Sequence, residues 1–407
     1  MPNNMQMNKQ NQIQMEIKKP QKEPLDFYTK PTLIGLNNIG ATCFMNSTLQ
    51  CLSQTKQLTN YFLKDKNLDK ILNNNIAVKN KNEVQLSPIY YDLITKLWDK
   101  NSKVESFDPK SFMEAIEKMN PLFKQGQAGD SKDFIIFLLE RFHVELQKSI
   151  PNNASNQQQQ LNQYDKNSTF NFFFEDFVKE VSIISDTFFG ITETTNICVN
   201  CKNKCNGINI PICYNYQKFN CLIFPLEEVK NYKNNNSIQN YNNLMNQNNN
   251  IVNIIDCFNY NQKTDYFTGQ NQNYCNLCKQ LSDSFYTSKI FSSPNVLVLI
   301  LNRGKDNIYD VKLIFTEIIN ISNFVLQKDS PQLFYKLYAV ITHVGQSGPS
   351  AHFMAACKSP IDDKWYRYND AFVTPINNVQ KDIIDFGSPY ILFYQKNNRK
   401  KNLITYL

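Results

Sequence analysis

Cys43 lies in a sequence context that favours a reactive thiol. It follows the segment 35–42, which reads GLNNIGAT, and the glycines and asparagines of that segment predict a turn. After the turn, Met45, Leu49 and Leu52 have helical spacing, so Cys43 is expected at a helix N-terminus. There the helix dipole and the unpaired backbone N–H groups favour a thiolate. An isolated cysteine is more often a buried apolar residue, but this context favours a nucleophile.

Asn38 is a candidate for stabilising the anion that such a nucleophile generates. It stands five residues before Cys43, across the turn at Gly40, so its side-chain amide can fold back towards the thiol. Together with the backbone N–H of Cys43 it would form an oxyanion hole. Cys51, eight residues further along the same helix, has no such surroundings and is expected in the core.

A cysteine nucleophile needs a histidine that accepts and returns a proton, and the chain contains three histidines. His143 lies within an amphipathic helical pattern, where we expect a packed or partly exposed side chain. His343 precedes a glycine-punctuated loop at 345–349 and is expected to line the cleft. His352 begins a strand pattern and is the predicted base.

The partner of His352 follows from a predicted hairpin. Turn residues separate the strand that begins at His352 from the segment 364–369. A hairpin centred on that turn places His352 opposite Asn369, whose amide oxygen would accept the Nδ1 proton and leave Nε2 facing the thiol. A slip of one residue would bring Tyr368 or Asp370 to that place instead.

Two CxxC pairs form a candidate metal site. The first pair is Cys198 and Cys201, the second is Cys275 and Cys278, and each can present two thiolates to one tetrahedral zinc ion. Four thiolates leave no open coordination position, so one structural zinc ion per chain is predicted. Reduced thiols or a redox pair are the alternatives, and Cys205 could replace a ligand of the first pair. The remaining cysteines in apolar, strand-like segments are expected in the core: Cys213, Cys221, Cys257 and Cys357.

The composition describes a globular chain and excludes several classes of protein. The 407 residues are 42% hydrophobic and 13% aromatic, which is enough for a large core. The net charge of +7 comes largely from residues near the ends. The sequence contains no basic stripe with interleaved aromatic residues, which is the pattern typical of nucleic-acid binders. The longest apolar run, 296–301, is too short for a membrane span, and the N-terminus lacks a signal-peptide pattern. Eleven cysteines without such a signal disfavour disulfides, so we expect an intracellular protein, cytoplasmic and/or nuclear.

The periodicity divides the chain into a helical and a β-rich half. Residues from Gly35 to about Leu146 follow mostly helical spacing. The polar breaks at 152–167 and 231–250 contain too few apolar residues for burial to offset the conformational entropy lost on ordering. The predicted strands are 181–184, 188–195, 284–291, 296–301, 337–342, 352–357, 364–368 and 390–394.

Several of these segments resemble the ubiquitin-specific proteases. The pattern GLxNxGxTCFMNSxLQ at 35–50 resembles the cysteine box of that family, and 338–374 resembles its histidine box. The two CxxC pairs look like the family's zinc-bearing fingers. Segments 294–303 and 389–394 are similar to two of its strands, and the whole likeness spans about 32–396.

The resemblance implies an α+β, papain-like fold with a helical thumb, a β-rich palm and zinc-bearing β fingers that grip ubiquitin. The polar composition of 1–30, without periodicity, predicts a disordered tail there, and the resemblance implies a catalytic domain at 31–396, followed by a basic tail at 397–407. Within the catalytic domain we expect the thumb at about 31–150, the low-complexity break at 152–167, the palm at about 168–189 and 291–396, and the fingers at about 190–290 with an Asn-rich insert at 231–250.

By the same resemblance, Cys43 is the nucleophile, His352 the base, Asn369 its orienter and Asn38 the oxyanion donor, with Asp370 assisting in the cleft. The family's acidic motif before a thumb helix is matched only in part, by AGDSKDF at 128–134. Its two acidic residues would bind the ubiquitin tail through charge-assisted hydrogen bonds, or else serve as a helix cap and a first-turn acid: Asp130 and Asp133.

The implied function is a thiol-dependent deubiquitinase that cleaves after the C-terminal glycine of ubiquitin and needs no cofactor for catalysis. Its partners would be ubiquitin and ubiquitinated proteins, and it would act as a monomer without nucleic acid or membrane. A catalytically weak ubiquitin-binding scaffold is one alternative, because Ala351 stands where the family usually has glycine. A zinc-ribbon nucleic-acid-binding protein is the other.

Overall fold

The computed structural model of the protein describes residues 22–64, 67, 71, 84–148, 161–206, 208–238, 250–304, 310–345 and 351–397. The helices in this part of the chain are α1 (Cys43–Ser53), α2 (Lys56–Phe62), α3 (Leu86–Leu97), α4 (Lys110–Met119), α5 (Ser131–Glu145), α6 (Lys166–Phe177), α7 (Ile183–Phe188), α8 (Val199–Lys204), α9 (Leu226–Ile238) and α10 (Ile254–Asn261). The strands are β1 (Gly35–Leu36), β2 (Ser106–Phe107), β3 (Gly190–Cys198), β4 (Cys213–Phe219), β5 (Leu222–Pro225), β6 (Ile251–Asn253), β7 (Thr264–Phe267), β8 (Asn273–Cys275), β9 (Gln280–Ser282), β10 (Ser284–Ser292), β11 (Val296–Asn302), β12 (Lys312–Ile314), β13 (Ile318–Asn320), β14 (Phe334–Val344), β15 (His352–Lys358), β16 (Trp365–Asn369), β17 (Phe372–Ile376) and β18 (Ser388–Lys396).

The palm is one large sheet that is buried on both faces. Its strand order is β17-β16-β15-β14-β18-β11-β5, and β13 pairs with β14. In β11, Val298 and Ile300 pack into the core shared with the thumb helices, whereas Leu299 and Leu301 pack into a second core on the opposite face. A strand covered on both faces needs no polar alternation, which explains the continuous apolar run in the sequence.

The thumb helices pack directly against the palm. The apolar stripe predicted from Met45, Leu49 and Leu52 is fully buried on α1. These side chains share one core with Ile341 of β14 and Ala355 of β15. Because a single core joins the two lobes, a residue at the start of α1 is held in a fixed position relative to the palm strands.

The fingers are a separate antiparallel sheet with the strand order β4-β3-β10-β7. The long strands β3 and β10 pair from Ile191 to Cys198 against Ser292 to Ser284. Beyond their ends, α8 and the small β8-β9 hairpin lie side by side at the tip. The α+β architecture with thumb, palm and fingers is therefore as predicted.

The disordered N-terminal tail predicted at 1–30 includes residues that are ordered. Residues 24–27 form a 3₁₀ helix, and Leu25 is 2% exposed, with its N–H donated to Asn60 Oδ1 at 2.9 Å. Glu23 also pairs with Lys64 at 3.2 Å. The apolar Leu25 anchors this stretch to the thumb, so part of the segment predicted as a disordered tail is ordered. Residues 1–21 and the predicted basic tail from residue 398 onwards lie outside the described residues.

The two polar breaks are also shorter than predicted. In the break at 152–167, residues 161–167 are ordered, and the backbone N–H of Tyr214 binds the carbonyl of Gln163 at 2.8 Å. In the break at 231–250, α9 continues to Ile238. The rest of each break lies outside the described residues, apart from Asn250.

One predicted strand, 181–184, is wrong. Ser182 instead caps α7, since its hydroxyl accepts the N–H groups of Ile184 and Ser185 at 3.1 and 3.2 Å, and this capping box outweighs the β-branched residues. Cys257, expected on a strand, is buried on α10. Within the described residues, no helix is long and apolar enough to cross a bilayer.

Candidate active site

Cys43 is the first residue of α1, at the helix N-terminus that the sequence predicts. The chain reaches it through a turn in which Gly40 and Ala41 have φ values of +119° and +53°. The Asn38 side-chain oxygen accepts the backbone N–H groups of Gly40 and Thr42 at 3.2 and 3.1 Å. These bonds fix the turn, and the thiol sits where unpaired backbone N–H groups point outwards.

His352 begins β15 and binds Asn369, but through a different pairing from the predicted one. Nε2 of His352 lies 2.6 Å from Asn369 Oδ1. The strands pair Ala355 with Tyr368, a register two residues away from the one that places His352 opposite Asn369. The contact survives because side chains alternate with a period of two, so Asn369 stays on the same face and reaches His352 diagonally. The predicted ring nitrogens were also reversed, since Nε2 and not Nδ1 faces the amide.

The neighbouring Cys43 side chain is the main cause of a raised pKa at His352. Interaction with Cys43 raises the pKa of His352 to about 9 against the lowering effect of burial, and the hydrogen bond to Asn369 and the charges of Cys43 and Asp370 raise it further. An imidazole with this pKa is protonated at neutral pH. The cleft therefore favours an imidazolium, and Asn369 holds the ring through Nε2.

Asp370 joins the thumb to the palm at this site. It occupies the turn between β16 and β17 at φ +50°, and its backbone oxygen accepts the Leu36 N–H at 3.0 Å. Its carboxylate accepts the side-chain amides of Asn46 at 2.8 Å and Asn38 at 3.0 Å. Oδ2 also lies 3.9 Å from His352 Nε2. One carboxylate thus connects the turn before Cys43, the helix α1 and the imidazole.

Asn46 is a site residue that the sequence reasoning did not single out. It is 2% exposed, and its amide donates to the carbonyls of Leu36 and Asn37 at 3.1 and 3.2 Å besides Asp370. The available signal was a polar residue one helical turn after Cys43, on the face that the apolar stripe buries.

Gly35 permits the close approach of the two lobes. A Cβ at this position would lie 2.2 Å from the carbonyl oxygen of Ala371, the second residue of the β16-β17 turn. Only a residue without a side chain fits this contact, so Gly35 determines how near the turn carrying Asp370 comes to the thumb.

The predicted oxyanion donor lies in the cleft with its amide nitrogen on a carboxylate. Asn38 Nδ2 donates to Asp370 Oδ2, as described above, and the amide can offer its second N–H to a substrate. The role of Asn38 in an oxyanion hole stays a prediction.

Asp130 and Asp133 occupy the start of α5. Asp130 caps the helix by accepting the Lys132 N–H at 2.7 Å, and both of its oxygens accept the Tyr390 hydroxyl, at 2.8 and 2.7 Å. Asp133 is exposed and lies 3.6 Å from Lys132 Nζ. The helix-cap interpretation of Asp130 is correct, and the tie to Tyr390 links the thumb to β18. A role in binding a peptide tail stays a prediction for both residues.

The other two histidines, His143 and His343, are buried side chains. His143 is 5% exposed, with Nδ1 at 2.8 Å from Ser182 Oγ, and burial lowers its pKa to about 4. His343 is 5% exposed and stands edge-on to Phe353, and burial lowers its pKa as well. Both rings are therefore neutral near pH 7. The loop that follows His343 lies outside the described residues from residue 346 to 350.

The four predicted metal ligands meet at the fingertip. The Sγ atoms of Cys198, Cys201, Cys275 and Cys278 all lie within 4.8 Å of one another. Two Sγ–Sγ distances are 3.8 Å, for Cys198 and Cys278, and 3.7 Å, for Cys201 and Cys275. A tetrahedral zinc with Zn–S bonds of about 2.3 Å places its sulfurs about 3.8 Å apart, so the donor set and its spacing fit zinc. Cys205 is outside the cluster.

A cysteine at a helix N-terminus beside a histidine that an amide orients, in a thumb–palm–fingers fold, is the arrangement typical of papain-like thiol hydrolases. The family model described as ubiquitin carboxyl-terminal hydrolase matches residues 34–394. The chain belongs to the ubiquitin carboxyl-terminal hydrolase family.

Known relatives are similar over most of the chain. It is 25% identical over 385 residues to ubiquitin carboxyl-terminal hydrolase 2 of Bos taurus, which covers 92% of this chain and 57% of that protein. It is 25% identical over 386 residues to ubiquitin carboxyl-terminal hydrolase 21 of Homo sapiens, covering 89% and 61%. The chain thus spans less than two thirds of the length of these relatives.

A solved structure confirms the fold class. The SAGA Ubp8/Sgf11/Sus1/Sgf73 DUB module bound to ubiquitin aldehyde contains a chain that is similar with a TM-score of 0.60 at 19% sequence identity. The match covers 92% of this chain and 71% of that chain.

Proposed function

We propose that this protein is a cysteine-type deubiquitinase that hydrolyses the peptide or isopeptide bond after the C-terminal glycine of ubiquitin. The observation that carries the proposal is the placement of Cys43 beside His352 and its partner Asn369 at the thumb–palm junction of a chain belonging to this hydrolase family. The relatives' printed names describe the same activity, and the solved neighbour binds ubiquitin aldehyde.

The geometry supports a two-step mechanism. The Cys43 thiolate attacks the glycine carbonyl, and the backbone N–H of Cys43 with the Asn38 amide stabilises the oxyanion. The His352 imidazolium gives its proton to the leaving lysine amine, which leaves a thioester on the sulfur. The neutral imidazole then takes a proton from water, which attacks the thioester and releases the ubiquitin carboxylate. Asn369 keeps the ring oriented throughout.

Asp130 and Asp133 would receive the C-terminal tail of ubiquitin. Their carboxylates at the start of α5 can bind its backbone N–H groups and arginines. In the free protein the carboxylate of Asp130 accepts a hydrogen bond from the Tyr390 hydroxyl. When the ubiquitin tail binds, a charged donor of the tail, such as an arginine, would replace this hydroxyl. The partners proposed are ubiquitin and ubiquitinated proteins, with the chain acting as a monomer.

One zinc ion per chain would be held by Cys198, Cys201, Cys275 and Cys278. When bound, the metal cross-links two parts of the fingertip: the end of β3 with α8, and the β8-β9 hairpin. Catalysis itself needs no cofactor. For the domain boundaries, we propose the predicted thumb, palm and fingers with two changes. The thumb extends back to residue 22, and β5, which falls within the predicted fingers at 190–290, belongs to the palm because it pairs with β11.

The proposal is tested with the unmodified protein. We expect release of a fluorophore from a ubiquitin C-terminal amide and covalent labelling by a ubiquitin-based electrophile. A panel of electrophiles built on related modifiers would show whether ubiquitin is preferred. Protein that binds ubiquitin without ever reacting would refute the enzyme and leave the scaffold, which the comparisons do not favour.

Replacing Asp370 with asparagine is expected to move the alkaline limb of the pH profile of hydrolysis to lower pH. Because the pKa of His352 is raised to about 9, the imidazolium that protonates the leaving amine persists up to that pH and is lost above it. The carboxylate of Asp370, 3.9 Å from Nε2, stabilises the imidazolium. Removing its charge lowers the pKa of His352, so the alkaline limb should move to lower pH by up to about one unit. Asparagine tolerates the positive φ at this position.

The measurement is kcat/KM against pH for the fluorogenic ubiquitin substrate. Asp176→Asn, on the exposed surface of α6, removes the same charge far from the cleft and should leave the limb unchanged. An Asp370→Asn limb identical to that of the unmodified protein would contradict an electrostatic role for this carboxylate.

A further inference from the structure

A pocket rich in lysine lies at the end of the palm sheet away from the active site. His352 begins β15 and Lys358 ends it, which separates the two by about 20 Å along an extended strand. The pocket has a volume of about 240 Å³ between the start of α2 and the ends of three palm strands. Its lining includes Gln54, Lys56, Lys336, Lys358, Asp363 and Lys396.

Two of the lysines share one exposed carboxylate. The Nζ atoms of Lys358 and Lys336 lie 2.8 and 3.7 Å from the same oxygen, Oδ2 of Asp363. The Asp363 side chain is 75% exposed and stands in the turn after β15 at φ +59°. A single solvated carboxylate offsets only part of the charge of two neighbouring ammonium groups.

The other two lysines are paired on the outer side of the pocket. Lys56 lies 3.0 Å from Asp26 and Lys396 lies 2.6 Å from Asp329, and neither of these aspartates lines the pocket. Glu317 also acts on Lys336 and Lys358 from outside the lining, so Asp363 is the only carboxylate among the lining residues of the pocket. The lining itself therefore carries four lysines and one aspartate.

The crowding of like charges is visible at Lys336. Its pKa is lowered, first by the neighbouring Lys358 ammonium and then by burial. Lys358 itself is only 11% exposed, so water screens this repulsion incompletely. An anion between the two groups would relieve the repulsion.

Gln54 adds a polar group with an unused atom. The residue is 6% exposed, and its Oε1 has no hydrogen-bond partner in the described part of the chain, while Nε2 lies 3.2 Å from the Tyr368 hydroxyl. The residue also belongs to the lining of the pocket, beside the lysines.

We propose that this lysine pocket, formed by Lys56, Lys336, Lys358, Lys396 and Gln54, binds a phosphate group. Lysine ammonium groups act as point charges for phosphate, and a phosphate dianion offers enough oxygens to bind several of them at once. The volume accommodates a free pyrophosphate or the phosphate of a monoester such as phosphoserine.

Isothermal titration of the full chain with pyrophosphate, orthophosphate and a phosphoserine peptide tests the proposal at constant ionic strength. We expect saturable 1:1 binding of at least one of them, and the arm that binds most tightly identifies a free or an esterified phosphate as the source. Lys336→Ala should weaken binding at least tenfold. Lys312→Ala, an exposed lysine on β12, changes the net charge equally and should stay within twofold.

Asp363→Asn provides a test with the opposite sign. It removes the carboxylate that competes for Lys336 and Lys358, so binding should tighten several-fold, and asparagine suits the positive φ. This variant also decides the matter if Lys336→Ala does not fold. Heats that do not saturate, or equal affinity in the Asp363→Asn, Lys312→Ala and unmodified proteins, would overturn the proposal.

Discussion

Cys43→Ala is expected to abolish turnover of the fluorogenic ubiquitin amide and labelling by the ubiquitin electrophile. Among the described residues, Cys43 is the nucleophile placed to form the thioester, and loss of such a nucleophile costs about 10,000-fold or more in rate. Binding of ubiquitin should be retained, because the substitution removes one sulfur at the first residue of α1 and leaves the buried stripe of that helix intact. Rates and a separate ubiquitin-binding titration measure the two effects.

Cys205→Ser is the matched control for this experiment. Cys205 is a half-buried free cysteine at the end of α8, outside both the cleft and the cluster of four thiols. It should keep full activity and full labelling. Turnover that persists in Cys43→Ala would show that another group performs the chemistry, and the assignment of the nucleophile would fall.

The position of Cys43 could be predicted from sequence because its determinants are local. The turn residues and the apolar spacing all lie within nine residues of Cys43, and the helix begins where they indicate. The pairing of His352 with Asn369 depended instead on a hairpin register that turn residues alone do not set. The register was wrong by two residues, and the contact held because such an error preserves the face of each strand.

The connection through Asp370 could not be predicted, because it joins residues that are distant in sequence. Asn46 and Asp370 are 324 positions apart, and Asn38 and Asp370 are 332 apart. No periodicity or motif spacing reports such a contact without an alignment. The need for Gly35 is equally non-local, since the atom it avoids belongs to Ala371.

Errors in the segment boundaries have a different cause. Leu25 stands close to Phe27 and Tyr28 in an otherwise polar stretch, and its buried side chain and backbone hydrogen bond to Asn60 hold the segment against the thumb. In 181–184, a side-chain cap from Ser182 overrode strand propensity. In both cases one specific contact outweighed the average composition on which the prediction was based.

Cys275→Ser is expected to remove most of the bound zinc and to unfold the fingertip. The β8-β9 hairpin has three residues in each strand, and its side chains Tyr274 and Leu281 are each 59% exposed, so it buries too little apolar surface to stay folded alone. Structural zinc sites contribute about 10 kcal/mol or more to folding, which is the term that would hold this hairpin against β3 and α8. Metal analysis and hydrogen exchange across 264–292 measure both effects.

Cys43 should keep its reactivity in that variant. The cluster lies at the fingertip and the thiol at the thumb–palm junction, so alkylation of Cys43 by a small reagent such as iodoacetamide should proceed at the unmodified rate even while ubiquitin turnover falls. Cys205→Ser again serves as the control and should retain about one zinc ion per chain. If the unmodified protein holds no zinc and its fingertip is still protected from hydrogen exchange, the proposed zinc site is contradicted. The four thiols would then be held by the strands that carry them, and the hairpin would owe its order to packing that its exposed side chains do not provide.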